Sequence, residues 1–129
     1  MEGATKSLQA AITAWVAVLS PDAVDARPET LSRYARTTSP SGRAPICILR
    51  PTNRDEVVAI LRVANENRIP VHPIARGKNW GYGDTCPPVE GCALLDLSGM
   101  NRIIELNADL GYAVIEPGVS QGQLYAAVQ

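Results

Sequence analysis

A strand–helix–strand pattern between residues 46 and 74 constrains the fold more than any other feature of this sequence. The short apolar run Ile46–Leu49 is typical of a buried strand, and residues 69–74 form a second run of this kind. Between the two runs, Asn53 followed three residues later by Glu56 predicts the N-terminal cap of a helix. An apolar stripe with helical spacing follows the cap, at Val57, Ile60, Leu61 and Ala64. This order predicts a βαβ unit, in which a right-handed crossover joins a parallel pair of strands.

Further elements are predicted on both sides of this unit. Before it, apolar residues on one face predict an amphipathic helix over residues 7–19, and the segment 20–45, rich in Pro, Ser, Thr and Arg, predicts a surface connection. After it, the apolar runs predict a strand at 93–97, a hairpin of strands 101–106 and 112–115, and a helix that begins at Ser120.

The pattern divides the chain into two parts. Residues 1–44 hold the N-terminal helix and the connecting segment, and residues 45–129 form one domain of mixed helices and strands. The sequence ends at Gln129, inside the last predicted helix and without a C-terminal cap. We therefore expect a domain that is truncated at its C-terminus.

Charge and cysteine content exclude several classes of function. Twelve Lys and Arg residues against thirteen Asp and Glu residues give a net charge of −1, which argues against nucleic-acid binding. The chain has no run of about 18 apolar residues, so no membrane-spanning helix is predicted. Three cysteines (Cys47, Cys86 and Cys92), one histidine and the absence of a C-x-x-C motif argue against a disulfide scaffold and against a metal site. This cysteine usage indicates a reducing compartment, and hence the cytoplasm.

The richest candidate for chemistry is the loop Arg76–Gly83, which has three glycines and directly follows a predicted strand. Glycine allows positive φ angles and close approach of a ligand, so successive amide N–H groups can converge on an anion. A Walker loop is excluded because Asn79 follows Lys78, and a Rossmann loop is excluded because Pro87-Pro88 prevents a helix after the loop. From these residues alone, a phosphate-binding loop and a plain glycine-rich turn both stay open.

Outside the loop the sequence offers few reactive groups. Asp96, at the end of a predicted strand, is expected to accept a hydrogen bond from a nearby backbone N–H. Cys86 and Cys92 are interpreted as inert thiols. For His72 two interpretations stay open, a packed imidazole or a contact with a cofactor or substrate. A single histidine supports no Ser-His-Asp or Cys-His arrangement.

Four segments of the sequence resemble one known family. The stretch 69–83, IPVHPIARGKNWGYG, resembles the pyrophosphate loop of the vanillyl-alcohol oxidase and 4-cresol dehydrogenase flavoproteins. The segments 94–97, 100–105 and 112–119 resemble later segments of that family, in the same order and at similar spacing. The resemblance implies an α+β fold, the FAD-binding domain of the PCMH type, with two small α/β subdomains and the dinucleotide between them.

The same resemblance implies which residues hold the cofactor, FAD. Main-chain N–H groups of the loop would wrap the pyrophosphate, and a later Pro-Gly pair would lie against the cofactor. These residues are Ala75, Arg76, Gly77, Lys78, Asn79, Trp80, Gly81, Tyr82 and Gly83, together with Pro117 and Gly118. Ala75, Lys78 and Asp84 depart from the family, which often has Ser, Arg and a small residue at these positions. Because the loop contains no histidine, covalent attachment of flavin through it is not expected.

The activity that the resemblance implies is oxidation of a para-substituted phenol by hydride transfer to FAD. In the family the catalytic residues come mostly from later sequence, so none is named within this chain, and the chain alone is not expected to turn over. Two alternatives stay open: a 2-hydroxy-acid (lactate or glycolate) dehydrogenase, and a non-catalytic nucleotide-binding module. The expected partner is a small-molecule substrate. A homo-oligomer and a separate electron-acceptor protein also stay open.

Overall fold

The computed structural model of the chain describes residues 2–37, 42–77 and 84–129. Helices and strands alternate up to residue 74, and three further strands and a last helix follow. In chain order they are α1 (Glu2–Val18), β1 (Val24–Asp25), α2 (Pro28–Tyr34), β2 (Ile48–Leu49), α3 (Arg54–Glu66), β3 (Val71–Ile74), β4 (Ala93–Asp96), β5 (Ile103–Asn107), β6 (Tyr112–Ile115) and α4 (Gln121–Val128). A short 3-10 turn at Leu97–Gly99, called the 97–99 turn below, directly follows β4.

Four strands form the main sheet, in the order β1-β2-β4-β3. Strands β2, β4 and β3 are parallel, and β1 pairs with β2 in the antiparallel direction at one edge. The predicted parallel orientation of β2 and β3 is correct, but the two strands are not neighbours because β4 lies between them. All four residues of β4, Ala93–Asp96, are buried. A near-continuous apolar run suits the centre of a parallel sheet, where both faces are covered, and this explains the position of β4.

The main core lies between one face of the sheet and the helices α1 and α3. Trp15 of α1 is fully buried there, and its indole N–H donates to the main-chain oxygen of Ile60 in α3 at 3.1 Å. The cluster on the opposite face is smaller, and there Ile48 and Leu94 pack against Leu31 and Tyr34 of α2. Residues of the 1–44 segment therefore pack on both faces of a sheet built mainly from residues 45–129. The domain boundary at residue 44 stays a prediction.

Several local predictions are confirmed. The Asn53 side chain accepts a hydrogen bond from the Glu56 N–H and caps α3, while the Glu56 carboxylate accepts from the Thr52 N–H at 2.7 Å. Strands β5 and β6 form the predicted antiparallel hairpin, which is a separate two-stranded sheet. Helix α4 begins at a complete capping box, in which Ser120 and Gln123 bond each other's main-chain N–H. No helix in the described ranges is long and apolar enough to span a membrane.

Replacing Trp15 with alanine tests the main core. We expect Trp15→Ala to lower the free energy of unfolding by about 3–5 kcal/mol, because it leaves a large cavity between α1, α3 and the sheet. Thr13→Ala, at an exposed position of the same helix, is the control and should change it by less than about 0.5 kcal/mol. Urea unfolding followed by circular dichroism measures both, and equal effects would contradict the placement of Trp15.

Candidate cofactor site at the carboxyl edge of the sheet

The parallel strands β2, β4 and β3 end at the same edge of the main sheet, because their directions agree. Arg50 follows β2, Asp96 ends β4, and Arg76 lies two residues after β3. In open α/β sheets, ligands bind outside the carboxyl ends of the strands. This edge is therefore the first place to look for a binding site.

The first three predicted loop residues lie at this edge. Ala75 and Arg76 are exposed, and Gly77 has a φ angle of +67°, a left-handed conformation that favours glycine. A Cβ atom on Gly77 would lie 2.8 Å from the Thr85 side chain, which would have to move, so the left-handed conformation is the main reason for glycine here. The other six loop residues lie outside the described ranges, and their assignment stays a prediction: Lys78, Asn79, Trp80, Gly81, Tyr82 and Gly83.

Arg76 and Gly118, 42 residues apart in the sequence, are in contact. The Arg76 guanidinium donates through Nη1 to the main-chain oxygen of Gly118 at 3.1 Å. Gly118 is buried, and the adjacent Pro117 is exposed beside it. The structure thus joins the start of the predicted pyrophosphate loop to the Pro-Gly pair, as expected if both belong to one site.

Gly118 is held by the backbone that follows β4. Its N–H donates to the Met100 oxygen at 2.7 Å. A Cβ atom on Gly118 would lie 2.5 Å from the Ser98 oxygen, 2.7 Å from the Met100 oxygen and 2.8 Å from the Leu97 oxygen. All three are main-chain atoms of the 97–99 turn or its C-terminal neighbour, so the slot fits glycine and no other residue. Sequence reasoning missed these carbonyls, because a turn of three residues leaves no periodic signal.

Asp96 fixes the start of the 97–99 turn. Its Oδ1 accepts a hydrogen bond from the Ser98 N–H at 3.0 Å, which confirms the role predicted from sequence. Its Oδ2 lies 3.8 Å from Nε of Arg50, a residue that the sequence analysis did not single out. The position of an arginine immediately after a strand, before Pro51, is the only signal that pointed to it.

The other carboxylates near this edge are already bonded. Glu116 is buried and accepts hydrogen bonds from the Arg102 guanidinium at 2.7 and 3.1 Å and from the Arg102 N–H at 2.8 Å. These bonds hold the pKa of Glu116 below its ordinary value. Asp84 Oδ1 accepts a hydrogen bond from the Cys86 N–H at 2.9 Å, so this carboxylate oxygen bonds the backbone two residues further along.

The donor set at this edge suits an anion. Arg76 brings a cation, Gly77 has a left-handed conformation, and the nearby carboxylates accept hydrogen bonds of their own. Converging amides and a guanidinium are the groups that proteins use to bind a pyrophosphate. Within the described ranges, no group of three His, Cys, Asp or Glu residues could hold a metal ion. The described start of the loop, Arg76 with Gly77, is compatible with the diphosphate of a dinucleotide, and the assignment of the cofactor-binding residues stays a prediction.

The histidine and the cysteines contribute no side-chain group to this donor set. His72 is in β3, opposite Leu94, and its buried Nε2 has no hydrogen-bond partner in the part of the chain that the structure describes. Both interpretations of His72 therefore stay open. All three cysteines are free. Burial, with Cys92 nearby, raises the pKa of Cys47 to about 12, and burial also raises the pKa of Cys92, so these two thiols are inert at neutral pH.

A cavity of about 770 Å³ lies elsewhere, between the β5–β6 hairpin and α4. Apolar side chains such as Leu106, Leu124 and Val128 line it. It contains none of the predicted site residues and no charged side chain, so it does not fit a diphosphate.

Comparison with known proteins decides the family. The FAD binding domain model matches residues 45–129, which is most of the chain. The chain belongs to the FAD binding domain family. The predicted cofactor, FAD, and the predicted PCMH-type fold are thereby confirmed, as is the resemblance to the 4-cresol dehydrogenase flavoproteins.

Individual relatives agree with this family assignment. The chain is 36% identical to the 1'-carboxy-chondrochloren decarboxylase of Chondromyces crocatus, over 95% of this chain and 23% of that protein. It is 34% identical to the 4-cresol dehydrogenase flavoprotein subunit of Pseudomonas putida, over 92% of this chain and 23% of the subunit. A glycolate oxidase subunit of Bacillus subtilis is 35% identical, over 66% of this chain and 18% of that protein.

A solved structure matches the fold closely. The crystal structure of p-cresol methylhydroxylase with substrate bound has a TM-score of 0.90 and 32% identity, over 96% of this chain and 25% of that chain. The present chain thus spans about a quarter of the length of the relatives it matches.

Replacing Gly118 with alanine tests the contact between the two parts of the site. We expect Gly118→Ala to lower the free energy of unfolding by about 1–3 kcal/mol, because the new methyl group meets three carbonyl oxygens that cannot rotate away. The control is Gly122→Ala in α4, where a Cβ atom meets nothing closer than 3.9 Å and alanine favours the helix by up to about 1 kcal/mol. Urea unfolding measures both, and an unaffected Gly118→Ala variant would contradict the packing described here.

Proposed function

We propose that this chain is the FAD-binding portion of a flavin-dependent oxidoreductase that oxidises a para-substituted phenol by hydride transfer to FAD. The observation that carries the proposal is the contact between Arg76 and Gly118 at the carboxyl edge. It occurs in a backbone of which 96% matches a part of p-cresol methylhydroxylase. Named relatives that act on 4-cresol support the phenolic substrate.

In this proposal the residues of the chain bind and orient the cofactor. Main-chain N–H groups from Ala75 to Gly83 surround the pyrophosphate, with charge from Arg76 and Lys78. Pro117 and Gly118 close the site from the other side, and residues 1–44 brace the sheet that carries it. The flavin, when bound, supplies the hydride-accepting chemistry.

The substrate distinguishes the candidate functions from one another. Relatives of similar identity bear the names of a decarboxylase, a cresol dehydrogenase and a glycolate oxidase subunit, so one type of FAD domain serves different reactions. The whole protein, purified with FAD, should reduce a dye acceptor with 4-cresol as donor. Turnover with lactate or glycolate instead would favour the 2-hydroxy-acid alternative, and a flavin-free, correctly folded protein would favour the nucleotide-binding module.

A protein partner is also proposed. The Pseudomonas putida relative is named as the flavoprotein subunit of its enzyme, which supports a separate electron-acceptor protein for this one. A homo-oligomer and a cytoplasmic location stay predictions.

Replacing Gly81 and Gly83 with valine tests the loop assignment. We expect each substitution to weaken FAD binding by about 10-fold or more for every hydrogen bond lost, because a bond to a charged group contributes about 1.5–3 kcal/mol. The matched control is Gly122→Val, which places the same side chain on the exposed part of α4. Quenching of flavin fluorescence measures the affinity, and unchanged binding in the Gly81 and Gly83 variants would rule out the loop as the pyrophosphate site.

A further inference from the structure

We propose that Arg50 is a positioning residue for the FAD site. Its guanidinium pairs with two buried carboxylates, Asp25 and Asp96. Asp96 in turn caps the 97–99 turn, which encloses Gly118. The Gly118 oxygen accepts the hydrogen bond from Arg76. This inference rests on the proposed cofactor site. Through Asp25 and the Ala23 oxygen, Arg50 also contacts the N-terminal segment, which lies before the region matched by the family model.

Arg50 lies between strands that come from distant parts of the chain. Its main-chain N–H donates to the Ala23 oxygen at 2.9 Å, immediately before β1. Its guanidinium has Nη1 at 3.7 Å from Asp25 Oδ2 and Nε at 3.8 Å from Asp96 Oδ2. The side chain of Arg50 is 35% exposed, whereas those of Asp25 and Asp96 are 5% and 10% exposed. The partly exposed Arg50 guanidinium is therefore the counter-ion of two buried carboxylates, Asp25 and Asp96.

The two carboxylates do not depend on Arg50 to the same degree. Asp25 also accepts two hydrogen bonds from the Arg27 guanidinium, at 2.8 and 3.0 Å, which hold the pKa of that carboxyl well below its usual range. Asp96 Oδ1 accepts a hydrogen bond from the Ser98 N–H. In the described ranges, Arg50 is the only cation that pairs with the Asp96 carboxylate. Removal of Arg50 would thus leave Asp96 as a buried charge without a counter-ion, a costly arrangement.

A displaced Asp96 would disturb the site through contacts already described. Asp96 caps the 97–99 turn, and the carbonyls of that turn enclose Gly118 without free space. The Gly118 oxygen is in turn the acceptor for Arg76 at the start of the pyrophosphate loop. A small movement of the turn is therefore passed directly to the groups that face the cofactor.

The experiment compares Arg50→Met with Arg50→Lys and with the control Arg54→Met. Arg54 is an exposed residue at the start of α3 that forms no ion pair within the described part of the chain. In the whole protein, we expect Arg50→Met to weaken FAD binding by about 3- to 30-fold, the range typical of residues that act on a site without touching the ligand. Arg50→Lys keeps the charge and should recover part of the affinity, while Arg54→Met should bind FAD like the parent protein.

A second substitution separates positioning from general stability. In the Arg50→Met background, Asp96→Asn removes the unpaired charge but keeps an oxygen for the Ser98 N–H, so it should restore FAD affinity. Asp25→Asn in the same background should not, because Asp25 retains Arg27. If Arg50→Met does not fold, Asp96→Asn and Asp25→Asn are compared in the Arg50→Lys background, where Asp96→Asn should again raise FAD affinity more than Asp25→Asn does.

Two outcomes would overturn the inference. One is an FAD affinity of Arg50→Met equal to that of the parent protein, measured below the melting temperature of both. The other is equal rescue by Asp96→Asn and Asp25→Asn. The proposed site fails separately, if the Gly81→Val and Gly83→Val variants bind FAD like the parent protein.

Discussion

The enclosure of Gly118 by three main-chain carbonyls determines how the site is assembled. Because Gly118 has no side chain, the segment Glu116-Pro117-Gly118, which follows β6, can approach the 97–99 turn closely. That approach places the Gly118 oxygen where Arg76 can donate to it. Gly118 thus joins the segment after the β5–β6 hairpin to the carboxyl edge of the main sheet. This contact lies beside Arg76, where the glycine-rich loop begins.

Charged groups around this contact are arranged so that the site keeps free positive charge. Glu116 is neutralised by Arg102, and Asp96 by Arg50 and a backbone N–H, whereas Arg76 bonds only a neutral carbonyl among the described residues. A guanidinium that is not neutralised by a carboxylate is suited to attract a phosphate group. These pairings leave the Arg76 guanidinium without a carboxylate partner among the described residues, as the proposed FAD site requires.

Much of the architecture could be predicted from local sequence. The Asn53 cap, the helix start at Ser120 and the hairpin are all encoded within a few residues, and each is confirmed. The insertion of β4 between β2 and β3 was missed, since an apolar run reveals a buried strand but not its neighbours. Likewise, Arg50 joins residues 25 positions before and 46 positions after it, and no local pattern encodes such pairs.

The assignment of the cofactor residues depended on resemblance to a family as much as on chemistry. Glycine content indicated a loop able to bind an anion, but a plain turn was equally consistent with it. Amide hydrogen exchange of the whole protein, with and without FAD, tests the central claim most directly. The account predicts that FAD slows exchange of the amides between Ala75 and Asp84. FAD binding that protects other segments and leaves these amides unchanged would contradict it.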